Sequence, residues 1–144
     1  MPANVIHLIG ACLAMVLLTG VVAMLMLIAR AREMKRKRIH PQTASTSATM
    51  AAKLEDIQPA DNFRNLFEVP VLFYLLAAIA LATNHIPGWL VISAWLFVAL
   101  RALHTLIHCT YNRVYHRFAV YAASFFLLIG MWIAYFVSVA SIGA

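Results

Sequence analysis

Apolar residues dominate four long stretches of the chain. His7 to Ala29 supplies 23 residues without one Lys, Arg, Asp or Glu. As a helix rising 1.5 Å per residue it reaches ~35 Å, enough to cross a hydrocarbon layer of ~30 Å. A second apolar stretch begins near Asn65 and runs to Thr83, with Glu68 and Pro70 close to its start. A third starts at Trp89 and continues past Arg101 to Cys109, and a fourth extends from about Phe118 to Ile142. The connection Thr83-Asn84-His85-Ile86-Pro87-Gly88 holds the Asn, Pro and Gly of a tight turn. The pattern predicts an all-α membrane protein: one domain over 1–144, a four-transmembrane-helix bundle with spans at about 7–29, 65–83, 89–109 and 118–142.

Composition agrees. Hydrophobic residues make up 64% of the chain and charged residues 11%, against soluble norms of roughly 45–50% and ~25%. These values exclude an ordinary water-soluble fold, and four spans leave no room for a separate soluble domain. The formal charge is +6, and eight of the eleven Lys and Arg lie between Arg30 and Arg64. That clustering points to an anionic lipid surface and away from nucleic acid.

The N-terminus has no positive charge before its apolar run, and the basic segment RAREMKRKR follows that run. The first stretch is therefore expected to stay as an anchor and not to leave as a signal peptide. The 30–64 loop holds eight cations, the 83–88 turn none and the 110–117 turn two, Arg113 and Arg117. The positive-inside rule then places the first and third loops in the cytoplasm and both termini on the other side, as expected for a bacterial inner-membrane protein. Partial disorder is expected around 41–53, where the segment is rich in Ser, Thr and Ala. The same topology separates Cys12 from Cys109 and argues against a disulfide between them.

A charged side chain deep in a bilayer costs about 2.5–3.5 kcal/mol on the insertion scale, so each one retained needs a reason. Asn65 and Glu68 are three apart near the start of the second span. Arg101, His104 and His108 follow at spacings of three and four, one stripe of a helix. Arg117 and Tyr121 are four apart at the opening of the fourth span. The topology brings all three groups to the cytoplasmic third of the membrane, where they would line a polar cavity. Arg101 and Arg117 against the single carboxylate of Glu68 make an anionic guest the natural one, and Arg suits carboxylates through its planar fork. A plainer reading is a buried Glu68–Arg101 ion pair with Arg113 and Arg117 as headgroup anchors. His104 and His108 have the spacing of a metal-binding pair, but no second cluster of ligating residues accompanies them, so no metal is expected. Trp89, Trp95, Trp132 and Tyr135 read as interfacial or packing aromatics. His7, His40, His85 and His116 carry no readable signal.

The strings FRNLFEVPVLFYLL (63–76) and RALHTLIHCTYNRVYHRFAVY (101–121) resemble the MAPEG family, the membrane-associated proteins of eicosanoid and glutathione metabolism. The likeness extends to length, span count and the long basic first loop. Its motifs are N-x-x-E at the start of span two, R-x-x-H in span three and R-x-x-x-Y sixteen residues after the first Arg. The resemblance implies a homotrimer of four-helix subunits with glutathione bound between neighbours on the cytoplasmic side. It also implies glutathione contacts at Asn65, Glu68, Arg101, His104 and His108, with Arg30 as a further contact after span one. Arg117 and Tyr121 become the catalytic pair, with Arg117 activating the thiol.

Three positions depart from the family pattern. Asp61 stands four residues before Asn65, where glutathione-using members commonly have an Arg. His108 occupies a place where a Tyr is often found, and Phe118 follows Arg117 where some members have a hydroxyl. Arg64, one helical position from Asn65, is expected to point elsewhere. The implied activity is a glutathione-dependent transferase or peroxidase acting on hydrophobic electrophiles. The rivals are a non-catalytic trimeric membrane protein that holds a lipid headgroup or other anion, and a small transporter. The first span has no charge, which argues against the transporter.

Overall fold

The computed structural model describes residues 2–40 and 58–143; the disorder expected around 41–53 lies outside them. Among the described residues five helical segments follow in order: α1 (Ala3–Arg36), α2 (Gln58–Asn65), α3 (Val69–Ala82), α4 (Gly88–Cys109) and α5 (Val114–Gly143). No strand occurs among the described residues. Among the described residues four stretches are long and apolar enough to span a membrane: Ala3–Arg36, Gln58–Ala82, Gly88–Cys109 and Val114–Ile142. α4 packs between α1 and α5, while α2 fits against α1 and α4.

Two boundaries differ most from the sequence expectation. α1 does not stop at Ala29 but continues to Arg36. Its 34 residues reach ~51 Å, well beyond the ~30 Å apolar layer, so the basic turns stand clear of the hydrocarbon. Glu33, buried on this extension, accepts from Lys37 at 2.9 Å, and such i, i+4 pairs help a helix continue. The second span begins at Gln58, seven positions before Asn65, so the polar segment 58–64 is helix where a loop was expected.

That second span is also interrupted. Residues 66–68 form turns, and α3 starts with Pro70 in its first turn. Proline has no N–H to donate, and its ring clashes with the carbonyl four residues earlier, that of Leu66, so a continuous helix through this point is excluded. Three-residue hydrogen bonds, Phe67 N–H to Arg64 O at 2.9 Å and Glu68 N–H to Asn65 O at 3.4 Å, carry the chain across.

The helix ends are closed in a common way. After α3, Asn84 adopts the left-handed region at φ 52°, and His85 N–H bonds back to Ala80 O at 3.2 Å. After α1, Arg38 at φ 51° does the same, with Ile39 N–H on Met34 O at 3.0 Å. Both are Schellman closures that satisfy carbonyls a helix otherwise leaves open.

The apolar core joins Leu8, Ala11 and Met15 of α1 to Phe73 and Leu76 of α3, Leu90, Ala94 and Phe97 of α4, and Leu128 and Met131 of α5. Phe73 and Phe97 stack with ring centroids 4.9 Å apart. Small residues let the helices approach closely, as lipid-embedded packing favours. Outward faces are also apolar: Leu13, Leu17 and Met24 on α1 and Phe126, Ile133 and Phe136 on α5 are exposed. Such faces suit lipid or a neighbouring subunit, where a soluble protein would carry charge.

At the end of the bundle holding the α3–α4 turn, polar groups are mutually satisfied. Tyr135 hydroxyl lies 2.6 Å from Thr83 Oγ1 and donates to His85 O at 3.2 Å, while His85 Nε2 meets Ser138 Oγ at 2.8 Å. His85 and Tyr135 therefore act as a structural tie between the turn and α5. Trp132 likewise donates Nε1–H to Leu72 O at 3.3 Å.

Candidate functional site

A cleft of ≈ 390 Å³ opens at the opposite end of the bundle, between α2, α4 and α5. It is lined by Asp61, Arg64, Asn65, Glu68, His104, His108, Val114, Arg117, Phe118 and Tyr121. Its size falls in the range of small-ligand pockets, about 300–1,000 Å³.

Each wall follows from helical periodicity. Asp61, Arg64, Asn65 and Glu68 lie at i, i+3, i+4 and i+7, as do Val114, Arg117, Phe118 and Tyr121. That spacing puts four side chains on one stripe of a helix. His104 and His108 supply the wall between them. Glu68 reaches the cleft from the turns that follow α2, which ends at Asn65.

Arg101 sits behind this surface and does not line it. Its side chain is wholly buried, at 0% exposure, so it does not snorkel towards the headgroups as a partly exposed Arg would. One terminal nitrogen donates to Asn65 O at 2.6 Å, and the guanidinium carbon lies 5.5 Å from the centre of the Tyr121 ring, a cation–π distance. Nε and Nη1 have no hydrogen-bond partner among the described residues. No ion pair joins Arg101 to Glu68, since the ion pairs among the described residues are those of Glu33. The plainer reading of a buried Glu68–Arg101 pair is thereby set aside.

His104 is buried, with Nδ1 3.2 Å from Arg117 O, and its ring centroid lies 5.7 Å from those of His108 and Tyr121. His104 Nε2 and His108 Nδ1 are buried without a partner among the described residues. Arg117 donates Nη1–H to Asn112 Oδ1 at 2.9 Å. Asn112 itself is in the left-handed region at φ 46°, which Asn tolerates, and its N–H returns to Ile107 O at 2.9 Å. One residue therefore turns the chain from α4 into α5 and holds the guanidinium at the cleft.

Seven of the eight site residues expected from sequence meet here: Asn65, Glu68, His104, His108, Arg117 and Tyr121 line the cleft, with Arg101 behind it. Arg30 does not line it; it is half-buried on the extended end of α1. Three contributors went unread. Arg64 lines the cleft although a position beside Asn65 was expected to point away. Asn62 is fully buried and donates Nδ2–H to Cys109 Sγ at 3.5 Å, and Asn112 orients Arg117. The signal in the sequence for Arg64 is the i, i+3, i+4, i+7 stripe from Asp61 to Glu68, which emerges with a helix that begins at Gln58.

Both cysteines are free. The MAPEG family profile matches residues 8–137, which include every residue of the cleft. No curated protein and no solved structure matches the chain.

Proposed function

The chain belongs to the MAPEG family, and we propose that it binds glutathione in the cleft between α2, α4 and α5 and conjugates it to hydrophobic electrophiles or uses it to reduce lipid hydroperoxides. The observation that carries this reading is the convergence of Asn65, Glu68, His104, His108, Arg117 and Tyr121 from three helices on one cleft. Polar side chains of this kind are costly inside a membrane helix and mark functional sites there.

In this reading Arg117 is the thiol-activating group. A free thiol has a pKa near 8.5, and an adjacent cation favours the thiolate, which is the nucleophile. Asn112 occupies one of the five guanidinium N–H groups, leaving others to face the sulfur. Tyr121, on the same stripe, supplies a hydroxyl that donates to the thiolate. In conjugation the thiolate attacks an electrophilic carbon, a C–S bond forms, and the thiol proton goes to the adduct or departs with the leaving group. In the peroxidase reaction two glutathiones and one hydroperoxide give glutathione disulfide, an alcohol and water. The apolar outer faces of the helices give the electrophile a route from the lipid. Buried Arg101 holds the cleft edge from behind through the backbone carbonyl of Asn65.

The subunits are proposed to form a homotrimer, and Arg30 to reach the cleft of a neighbouring subunit, since it stands away from its own. The proposed orientation has the cleft on the cytoplasmic face and both termini on the opposite side, a reading that the basic end of α1 supports. The second reading is a non-catalytic membrane protein holding a lipid headgroup or other anion, and Asp61 favours it, because a carboxylate in the cleft opposes a doubly carboxylated peptide. Calorimetry on the detergent-purified protein separates the two: heat of binding with millimolar glutathione is expected, and its absence from a folded oligomer would leave the second reading standing.

A further inference from the structure

The cleft is not uniformly positive. Formal charges on its lining are Arg64 and Arg117 against Asp61 and Glu68, which balance. Both acids stand on the α2 side, at i and i+7, with Arg64 between them at i+3, so that side keeps one surplus negative charge, while the α4 and α5 side carries Arg117. Neither acid forms an ion pair, because the ion pairs among the described residues are those of Glu33. Arg117 is bonded to the neutral Asn112 side chain. Charges of opposite sign thus face a common space without a direct ion pair between them, the arrangement that recognises a ligand carrying both an ammonium and an anionic group.

Glutathione has one ammonium and two carboxylates. Its ammonium answers one acid of the α2 wall, and the second acid then confronts a ligand that still bears a surplus of negative charge. Resting on the thiol-binding reading above, we propose that Asp61 sets the specificity of the cleft for a peptide thiol with only one free carboxylate, its second carboxyl capped as an amide or ester or extended by an amine. Asp61 acts here by charge and touches no reacting atom.

A structural role is the competing account, because Asp61 lies in the first turn of α2, where a carboxylate steadies the helix N-terminus. The two roles give different readouts. Affinities for glutathione, glutathione glycyl amide and glutathione monoethyl ester are measured by calorimetry on the intact detergent-purified protein, for the native chain, Asp61→Asn and Asp61→Arg. The native chain is expected to bind the capped thiols about five-fold more tightly than glutathione, the upper end for a partly exposed charge pair. The preference should fall to near one in Asp61→Asn and invert in Asp61→Arg.

A capped-to-free ratio that is the same in all three proteins, with or without a change in melting temperature, would overturn the specificity role while leaving thiol binding intact. Failure of every thiol to bind any of the three folded proteins would remove the thiol reading and this inference together.

Discussion

Arg101 donates to the carbonyl oxygen of Asn65 at 2.6 Å, so the most buried cation of the bundle holds the residue at which α2 ends and the cleft begins. The same side chain carries Nε–H and Nη1–H groups without a partner among the described residues. One charged hydrogen bond contributes about 1.5–3 kcal/mol, and each of the two unsatisfied groups costs about 1–3 kcal/mol. The costs offset or exceed the gain, so Arg101 adds little or no net stability to the fold.

Arg101→Leu is therefore expected to shift the melting temperature in detergent by only a few degrees, while weakening glutathione binding about tenfold because Asn65, at the edge of the cleft, loses the donor that holds its carbonyl. Calorimetry and thermal unfolding on the same preparation check this. Arg101→Lys should restore little affinity, since an ammonium lacks the planar fork. Large destabilisation with unchanged affinity would make Arg101 a structural residue.

Arg117→Ala is expected to lower kcat about 100-fold or more, the usual consequence of removing a preorganised charge-stabilising donor. Glutathione affinity should change far less, because the loss falls on the thiolate. Asn112→Ala removes the acceptor that holds Arg117 at 2.9 Å and should give a smaller loss of kcat in the same direction. The ultraviolet absorbance of bound thiolate, titrated against pH, provides the direct readout: its onset should move to higher pH in both variants.

These residues show how far the sequence could be read. Spans three and four were legible down to the site because their polar residues interrupt otherwise apolar helices at spacings of three and four, and in a membrane such an interruption stands out. Segment 58–64 was not, because it is polar throughout and its amphipathic stripe does not contrast with a hydrophobic background. The break at 66–68 was foreshadowed by Pro70 but depends on how the chain leaves α2. Nor does local sequence specify the pairing of Asn112 with Arg117 or of Tyr135 with Thr83, since each arises where a turn and a neighbouring helix meet.

Tyr135→Phe tests the other end of the bundle. The Tyr135 hydroxyl is buried, 2.6 Å from Thr83 Oγ1 and 3.2 Å from His85 O. Removing it takes the side-chain donor from His85 O, while Thr83 Oγ1 keeps its bond to Ile79 O, at a cost of about 0.5–1.5 kcal/mol. A lower melting temperature with unchanged thiol affinity and kcat is expected, and a change in affinity would show that the two ends of the bundle are coupled.

Pro70→Ala asks whether the interruption of the second span is needed for the cleft. Alanine restores the N–H and removes the clash with Leu66 O, so helix can propagate from α2 into α3. Slower hydrogen exchange at residues 66–70 is expected, with stability equal to or above that of the native chain. A continuous helix would re-aim Glu68, which now adopts φ −95° and ψ −87°, and would shift Asn65 O relative to Arg101. Glutathione affinity should therefore fall even though the protein becomes no less stable. If the 66–70 amides gain protection and affinity does not move, the break is an accommodation to packing, and the position of Glu68 is set by α4 and α5 instead.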